Sequence, residues 1–192
     1  MRILHIISGL KRGGAETQLF RICKFEQDND HIVVSLSNKQ GYGDILEKLN
    51  VPVYALNFSS GRINISGLIK LYRIMKQLKP DVVQTWMNHA DLIGGIIARI
   101  AGIKNIFWGV HQTILIKGKS KASTIMIVKL NAILSYLIPN KIIYCAEKSR
   151  EVHELIGFKK SKGVVIQNGY DINIFHQNDS LAKDFRDKLK IP

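Results

Sequence analysis

From Arg2 to about residue 168 the chain alternates between short runs of β-branched and aliphatic residues and longer stretches with apolar residues at three- and four-residue spacing. The short runs, such as Ile32-Val33-Val34, are continuously apolar and lack the in-out alternation of a strand that faces water. That pattern predicts strands covered on both faces, and so an α/β fold: a doubly wound, mainly parallel, Rossmann-like sheet with helices on each side. Strands are expected over 2–8, 31–36, 51–56, 81–86, 104–108, 141–145 and 163–167. Helices are expected over 15–25, 44–49, 91–101, 120–137 and 149–156, with one more capped by Ser66 and ending before Pro80. Sheets of this kind bind ligands at the carboxyl ends of their strands, so the loops after the first, fourth and fifth strands are where chemistry is expected. After Asn168-Gly169 the pattern changes to a polar, irregular stretch and then a charged helix over 181–189.

The chain has 192 residues, 46% of them hydrophobic, enough for one domain with a real core and too few for two. Its formal net charge of +13 favours polyanions or phosphorylated ligands, although a Lys-rich surface with no ligand gives the same excess. Cys23 and Cys145 are the only cysteines, which frame neither a disulfide scaffold nor a zinc site. The N-terminus lacks a long apolar stretch and a small-residue cleavage site, so it reads as a first strand. The most hydrophobic stretch, 122–138, is interrupted by Lys129 and Asn131 and is short for a membrane span. It reads as a core helix, with an interfacial helix as the alternative.

Three loops carry the candidate chemistry. The first contains Gly9, Lys11, Arg12, Gly13 and Gly14. Paired glycines let a backbone approach a ligand closely, and the helix behind them offers free N–H groups to an anion. The plain alternative is a tight turn that serves packing. The spacing is not Gly-x-Gly-x-x-Gly, and no Gly-Lys-Ser/Thr follows, so dinucleotide and Walker-type binding both lose ground. The second loop, Trp86-Met87-Asn88-His89-Ala90-Asp91, puts Asn88 and His89 at the mouth of the sheet. In the third, His111 follows the fifth strand, well placed as a hydrogen-bond donor or general base. Each of these side chains also has an ordinary structural reading. Lys117, Lys119 and Lys121 precede the apolar helix and suit either solvent or anionic lipid headgroups. Nothing in the spacing supports nucleic-acid binding, and no nucleophile-base order stands out.

Together Gly13-Gly14-Ala15-Glu16, Asn88-His89-Ala90-Asp91, His111 and Asn168-Gly169-Tyr170-Asp171 with Phe175 resemble, in order, the N-terminal half of glycosyltransferase family 4, whose members are retaining enzymes of GT-B fold. Tyr170 stands where the family usually has Val, and Cys145-Ala146-Glu147 where Ser-Glu is common. The resemblance implies an acceptor-side domain over 1–176 and an interdomain linker helix over 177–192, with the donor-binding domain absent from these residues. It implies transfer of a sugar from UDP- or GDP-sugar to a lipid-linked or polysaccharide acceptor. His111 would act at the reacting centre, and Gly13, Gly14, Asn88 and His89 would bind substrate. It implies no cofactor, no metal and no nucleic acid. It also implies a cytoplasmic place, peripheral on an anionic inner membrane face, and little activity for this half alone. A non-catalytic module for an anionic glycolipid or partner protein and an epimerase-like sugar-nucleotide domain are the competing readings.

Overall fold

In the computed structural model, which describes residues 1–58, 64–112, 122–173, 177 and 179–191, the expected alternation is realised element by element. The order is β1 (Arg2–Ile7), α1 (Gly14–Phe25), β2 (Asp30–Ser35), α2 (Gly43–Lys48), β3 (Val53–Ala55), α3 (Ile65–Leu78), β4 (Val82–Trp86) and α4 (Asn88–Ile100). It continues with β5 (Ile106–Val110), α5 (Ala122–Leu134), β6 (Lys141–Tyr144), α6 (Glu147–Ile156), β7 (Gly163–Val165) and α7 (Asp179–Leu189). The seven strands form one sheet in the order β3-β2-β1-β4-β5-β6-β7. Every neighbouring pair is parallel.

The continuous apolar runs are explained by two cores, one on each face. Leu4, Ile6, Val83, Trp108, Val110, Ile142 and Tyr144 point into the layer that α3, α4 and α5 cover. Ile7, Val33, Val53 and Trp86 point the other way, onto Leu10, Leu19 and Leu46 of the layer built by α1 and α2. Adjacent residues of one strand thus go to opposite cores, so neither face can be polar. Burial of this apolar surface is the main force holding the helices against the sheet.

Three boundaries differ from the sequence reading in ways that matter. Asn64, not Ser66, caps α3: its Oδ1 accepts the Gly67 N–H at 2.6 Å, while the Ser66 hydroxyl donates to the same oxygen at 3.0 Å. α4 begins at Asn88 and not at Asp91, so Asn88 and His89 belong to a helical first turn. β5 runs two residues further than expected, so Gly109 and Val110 are strand residues. Beyond β7, the Asn168-Gly169 turn is held on α1. Arg21 donates to the Gly169 carbonyl at 2.7 Å, and its guanidinium lies 4.8 Å from the ring centre of Tyr170. α7 follows with no buried residue.

Candidate functional site

The strand order reverses between β1 and β4, which is where an open parallel sheet leaves a crevice for a ligand. Ile7 at the end of β1 pairs with Trp86 at the end of β4, and Trp86 pairs with Gly109 of β5. The segments that follow these three strands therefore leave the sheet side by side. Gly13 and Gly14 lie at the start of α1, Asn88 and His89 in the first turn of α4, and His111 one residue beyond β5. All five candidate residues are on the carboxyl-end side.

A Cβ on Gly14 would meet nothing within 4 Å, and one on Gly13 would meet only the flexible Glu16 carboxylate. Both glycines are exposed, so packing inside the chain does not require either of them. Their bareness leaves the backbone at the start of α1 open to a ligand's approach, with no cap from Gly13 and the Glu16 carboxylate folded over the first turn onto its own N–H. At the neighbouring crevice wall Met87 precedes α4 with φ 71° and ψ 156°, a region L-residues rarely adopt. The Met87 N–H is tied to the Gly109 carbonyl at 2.9 Å, which fixes where α4 starts. Asn88 is buried; its Nδ2 donates to Gln112 Oε1 at 3.3 Å, and its carbonyl accepts from Asn131 Nδ2 of α5 at 2.9 Å. His89 is exposed.

His111 folds back onto Trp86, their rings stacked at 5.0 Å between centroids and 16° between planes. Gly109 makes room for this: a Cβ there would meet the Thr85 carbonyl at 2.9 Å and His111 Nε2 at 3.4 Å. Burial pushes the His111 imidazole down to about 4, so it is neutral near pH 7 and suited to hydrogen bonding as an uncharged ring. Behind the crevice Asp91 is fully buried, accepting from the Thr85 hydroxyl at 2.6 Å. Burial holds its carboxyl well above the usual carboxylate range, against the hydrogen bonds from Thr85 and the Gly109 N–H.

The sequence reading passed over two buried histidines within strands. Trp86 Nε1–H donates to His5 Nδ1 at 3.3 Å, and His5 Nε2 lies 3.0 Å from His31 Nδ1. His31 Nε2 reaches Glu26 Oε2 at 2.7 Å and the Glu26 carbonyl at 2.9 Å. Their signal was a pair of imidazoles on neighbouring apolar strands, and it becomes legible only once β1 is paired with β2. Cys23 joins them, and the three residues bring potential metal-ligand atoms within 4.8 Å of one another. A metal held by His5 Nε2 would leave Nδ1–H facing Trp86 Nε1–H, two donors with no acceptor, so the geometry favours hydrogen bonding there. A groove of about 710 Å³ lined by Arg2, Cys23, Glu26, His31 and Lys48 opens beside this cluster. It lies at the amino ends of β1 and β2, away from the loops where a parallel sheet offers catalytic groups.

A doubly wound parallel sheet with a bare glycine turn, two helix N-termini and a neutral imidazole at the reversal of strand order is a Rossmann-like ligand-binding domain, of the kind that makes up half of a GT-B glycosyltransferase. Over residues 12–174 the chain matches the profile of Glycosyltransferase Family 4, and it belongs to that family. The UDP-Gal:alpha-D-GlcNAc-diphosphoundecaprenol alpha-1,3-galactosyltransferase of Escherichia coli is 26% identical over 179 residues, spanning 91% of this chain and 45% of that protein. The crystal structure of Anabaena HepE in complex with UDP superposes with a TM-score of 0.77 at 22% identity, covering 99% of this chain and 50% of the other. UDP-N-acetylglucosamine 2-epimerase from Rickettsia bellii gives 0.60 at 17% identity over 100% of this chain and 52% of its own. At such identities the structural likeness is one of fold alone. The chain spans about half the length of the relatives it matches. No helix among the described residues is long and apolar enough to cross a membrane.

Proposed function

We propose that this chain is the acceptor-side half of a retaining glycosyltransferase that moves a sugar from a UDP- or GDP-sugar to a lipid-linked or polysaccharide acceptor. The observation that carries the reading is the grouping of Gly13, Gly14, Asn88, His89 and His111 at the β1/β4 reversal of a family 4 domain. Gly13 and Gly14 would let the donor diphosphate or the acceptor come against the end of α1, whose partial positive charge favours an anion once the flexible Glu16 side chain swings aside. The His111 imidazole, neutral and stacked on Trp86, would position or polarise the sugar at the reacting carbon. Asn88 and His89 would hold acceptor hydroxyls from the first turn of α4. Neutralisation of the leaving diphosphate by helix ends and cations needs no metal.

On this reading residues 1–176 form the domain and 177–192 the interdomain linker helix, which fits an α7 that buries none of its residues. Most diphosphate and ribose contacts would then come from a donor-binding half outside these 192 residues. Isothermal calorimetry of this chain should therefore give no affinity for UDP- or GDP-sugar at the micromolar level that is about −8 kcal/mol, and no transfer should be measurable. Backbone NMR with millimolar UDP should show weak shifts confined to residues around Gly13, Asn88 and His111. Micromolar binding, or shifts centred on the groove beside His31, would overturn the reading.

A further inference from the structure

We propose that His5 and His31 are positioning residues for the candidate site: a buried hydrogen-bonded chain from Glu26 through His31 and His5 to Trp86 sets the plane of the indole on which His111 rests. The inference deepens the functional reading above and takes from it the role of His111. It stands on the geometry of four side chains. Trp86 is 1% exposed, and its indole N–H can only donate. A buried donor without a partner costs about 1–3 kcal/mol, and His5 Nδ1 at 3.3 Å is its partner.

That one fixed direction sets all the others. If Nδ1 of His5 accepts, its proton is on Nε2, which then donates to His31 Nδ1 at 3.0 Å. His31 must in turn carry its proton on Nε2, where Glu26 Oε2 and the Glu26 carbonyl accept it. The chain has a single proton arrangement in which every member is satisfied, so each ring is held in one orientation. The two imidazoles also stack at 5.2 Å, and the His5 ring meets Trp86 at 6.0 Å, which adds a steric hold to the hydrogen bonds. Burial, with His31 adding to it, pushes His5 down to about 3, so the His5 ring stays neutral across the ordinary pH range.

The consequence reaches the crevice through Trp86. Its ring is the surface on which His111 lies nearly parallel, in space that Gly109 leaves open. What the chain adds is a defined ring plane beside His111. Glu26 is 37% exposed at the far end, so the chain runs along the α1/α2 face of the sheet from the amino-end groove toward the carboxyl-end crevice.

The test uses this 192-residue chain and no substrate. Isotope-labelled protein is followed by NMR, reading the Trp86 indole N–H resonance and the titration midpoint of the His111 imidazole. His5→Leu removes the acceptor from Trp86. It should broaden or move the indole signal and raise the His111 midpoint by about one pH unit, toward that of a free imidazole, as the ring loosens into solvent. His5→Asn returns an acceptor near the place of Nδ1 and should recover most of both signals. His31→Leu, one link further from Trp86, should move both in the same direction by less. Ile142→Ala, a fully buried truncation in β6 away from the chain, supplies the control for lost stability alone. Unchanged His111 titration in His5→Leu and His31→Leu, or an equal shift in Ile142→Ala, overturns the proposal. Either outcome leaves the role of His111 in sugar transfer untouched, because that role is tested by ligand binding, and failure of that role would leave the positioning chain standing.

Discussion

Asp91 is the residue whose chemistry most opposes its surroundings. It is fully buried, with one oxygen accepting from Thr85 and the other without a partner among the described residues. Its carboxyl is held above the usual range, so the folded protein keeps a proton that the unfolded chain releases above about pH 4. Stability from this group is therefore fully present below that pH and is lost as pH rises toward the folded value. Urea unfolding of the wild type and Asp91→Asn at about pH 5 and about pH 8 isolates the group, because histidine titrations cancel in the difference. The variant should gain on the wild type as pH rises, by at most about 1.4 kcal/mol per pH unit; a difference independent of pH would show that Asp91 ionises normally. In the sequence Asp91 looked like an ordinary first-turn acid. Its burial follows from α4 starting three residues earlier, which depends on the Met87 backbone at φ 71° and has no local sequence signal.

At the scale of elements, the glycines of α1 and α4 do opposite things. Gly95 lies where a Cβ would meet Trp108 Nε1 at 2.8 Å and Ile138 Cγ2 at 2.9 Å, and Gly94 where it would meet Ile6 and Thr85 at 3.0 Å. α4 thus lies close on β1, β4 and β5 because two positions carry no side chain. Gly95→Ala should destabilise the fold by roughly 1–3 kcal/mol, overpacking outweighing the better helix propensity. Gly14→Ala, in open space at the first turn of α1, should be neutral or stabilising by roughly 0.5 kcal/mol. Denaturant melts of both variants decide it; if Gly14→Ala is as damaging as Gly95→Ala, the bareness of the α1 start is structural and the ligand-approach argument fails. The type and order of the elements were legible because each apolar run fits a two-sided strand. Ends were less so: the fifth strand is expected to stop at Trp108, but Gly109 lies within β5 against the Thr85 carbonyl. The loops that carry the candidate residues were legible from the strand-end rule alone, whereas the His5–His31 pair needed the strand register that sequence spacing does not carry.

For the whole molecule, the open question is what meets its surplus of apolar surface and positive charge. α5 packs on α4 and α6 through Val128, Asn131 and Ala132. Met126, Leu130, Ile133 and Leu137 are exposed at 60%, 41%, 67% and 74%. The spacing of four and three residues puts Met126, Leu130 and Ile133 on one outward stripe, with Leu137 exposed just beyond the helix, so the described helices cover only one side of α5. Cations border it: Lys129 is exposed on the helix, Lys159 lies 4.8 Å over the Tyr136 ring, and Lys162 donates to the Ser135 and Tyr136 carbonyls. Lys117, Lys119 and Lys121 precede the helix in sequence but lie outside the described residues. An apolar stripe edged by lysines suits the interface of an anionic bilayer, where each basic residue contributes about 1 kcal/mol. This would bring the chain to a lipid-linked acceptor, and it uses part of the +13 charge. The alternative is a protein partner on α5, which would need the stripe and be indifferent to lipid charge. Co-sedimentation with vesicles separates the two. Binding should be seen with anionic but not neutral vesicles, fall at about 0.5 M salt as screening takes hold, and weaken in Met126→Ser with Ile133→Ser and in the triple Lys→Glu change at 117, 119 and 121. Equal binding to both vesicle types would remove the lysines from the account and leave apolar insertion alone, and absent binding to both would exclude the membrane.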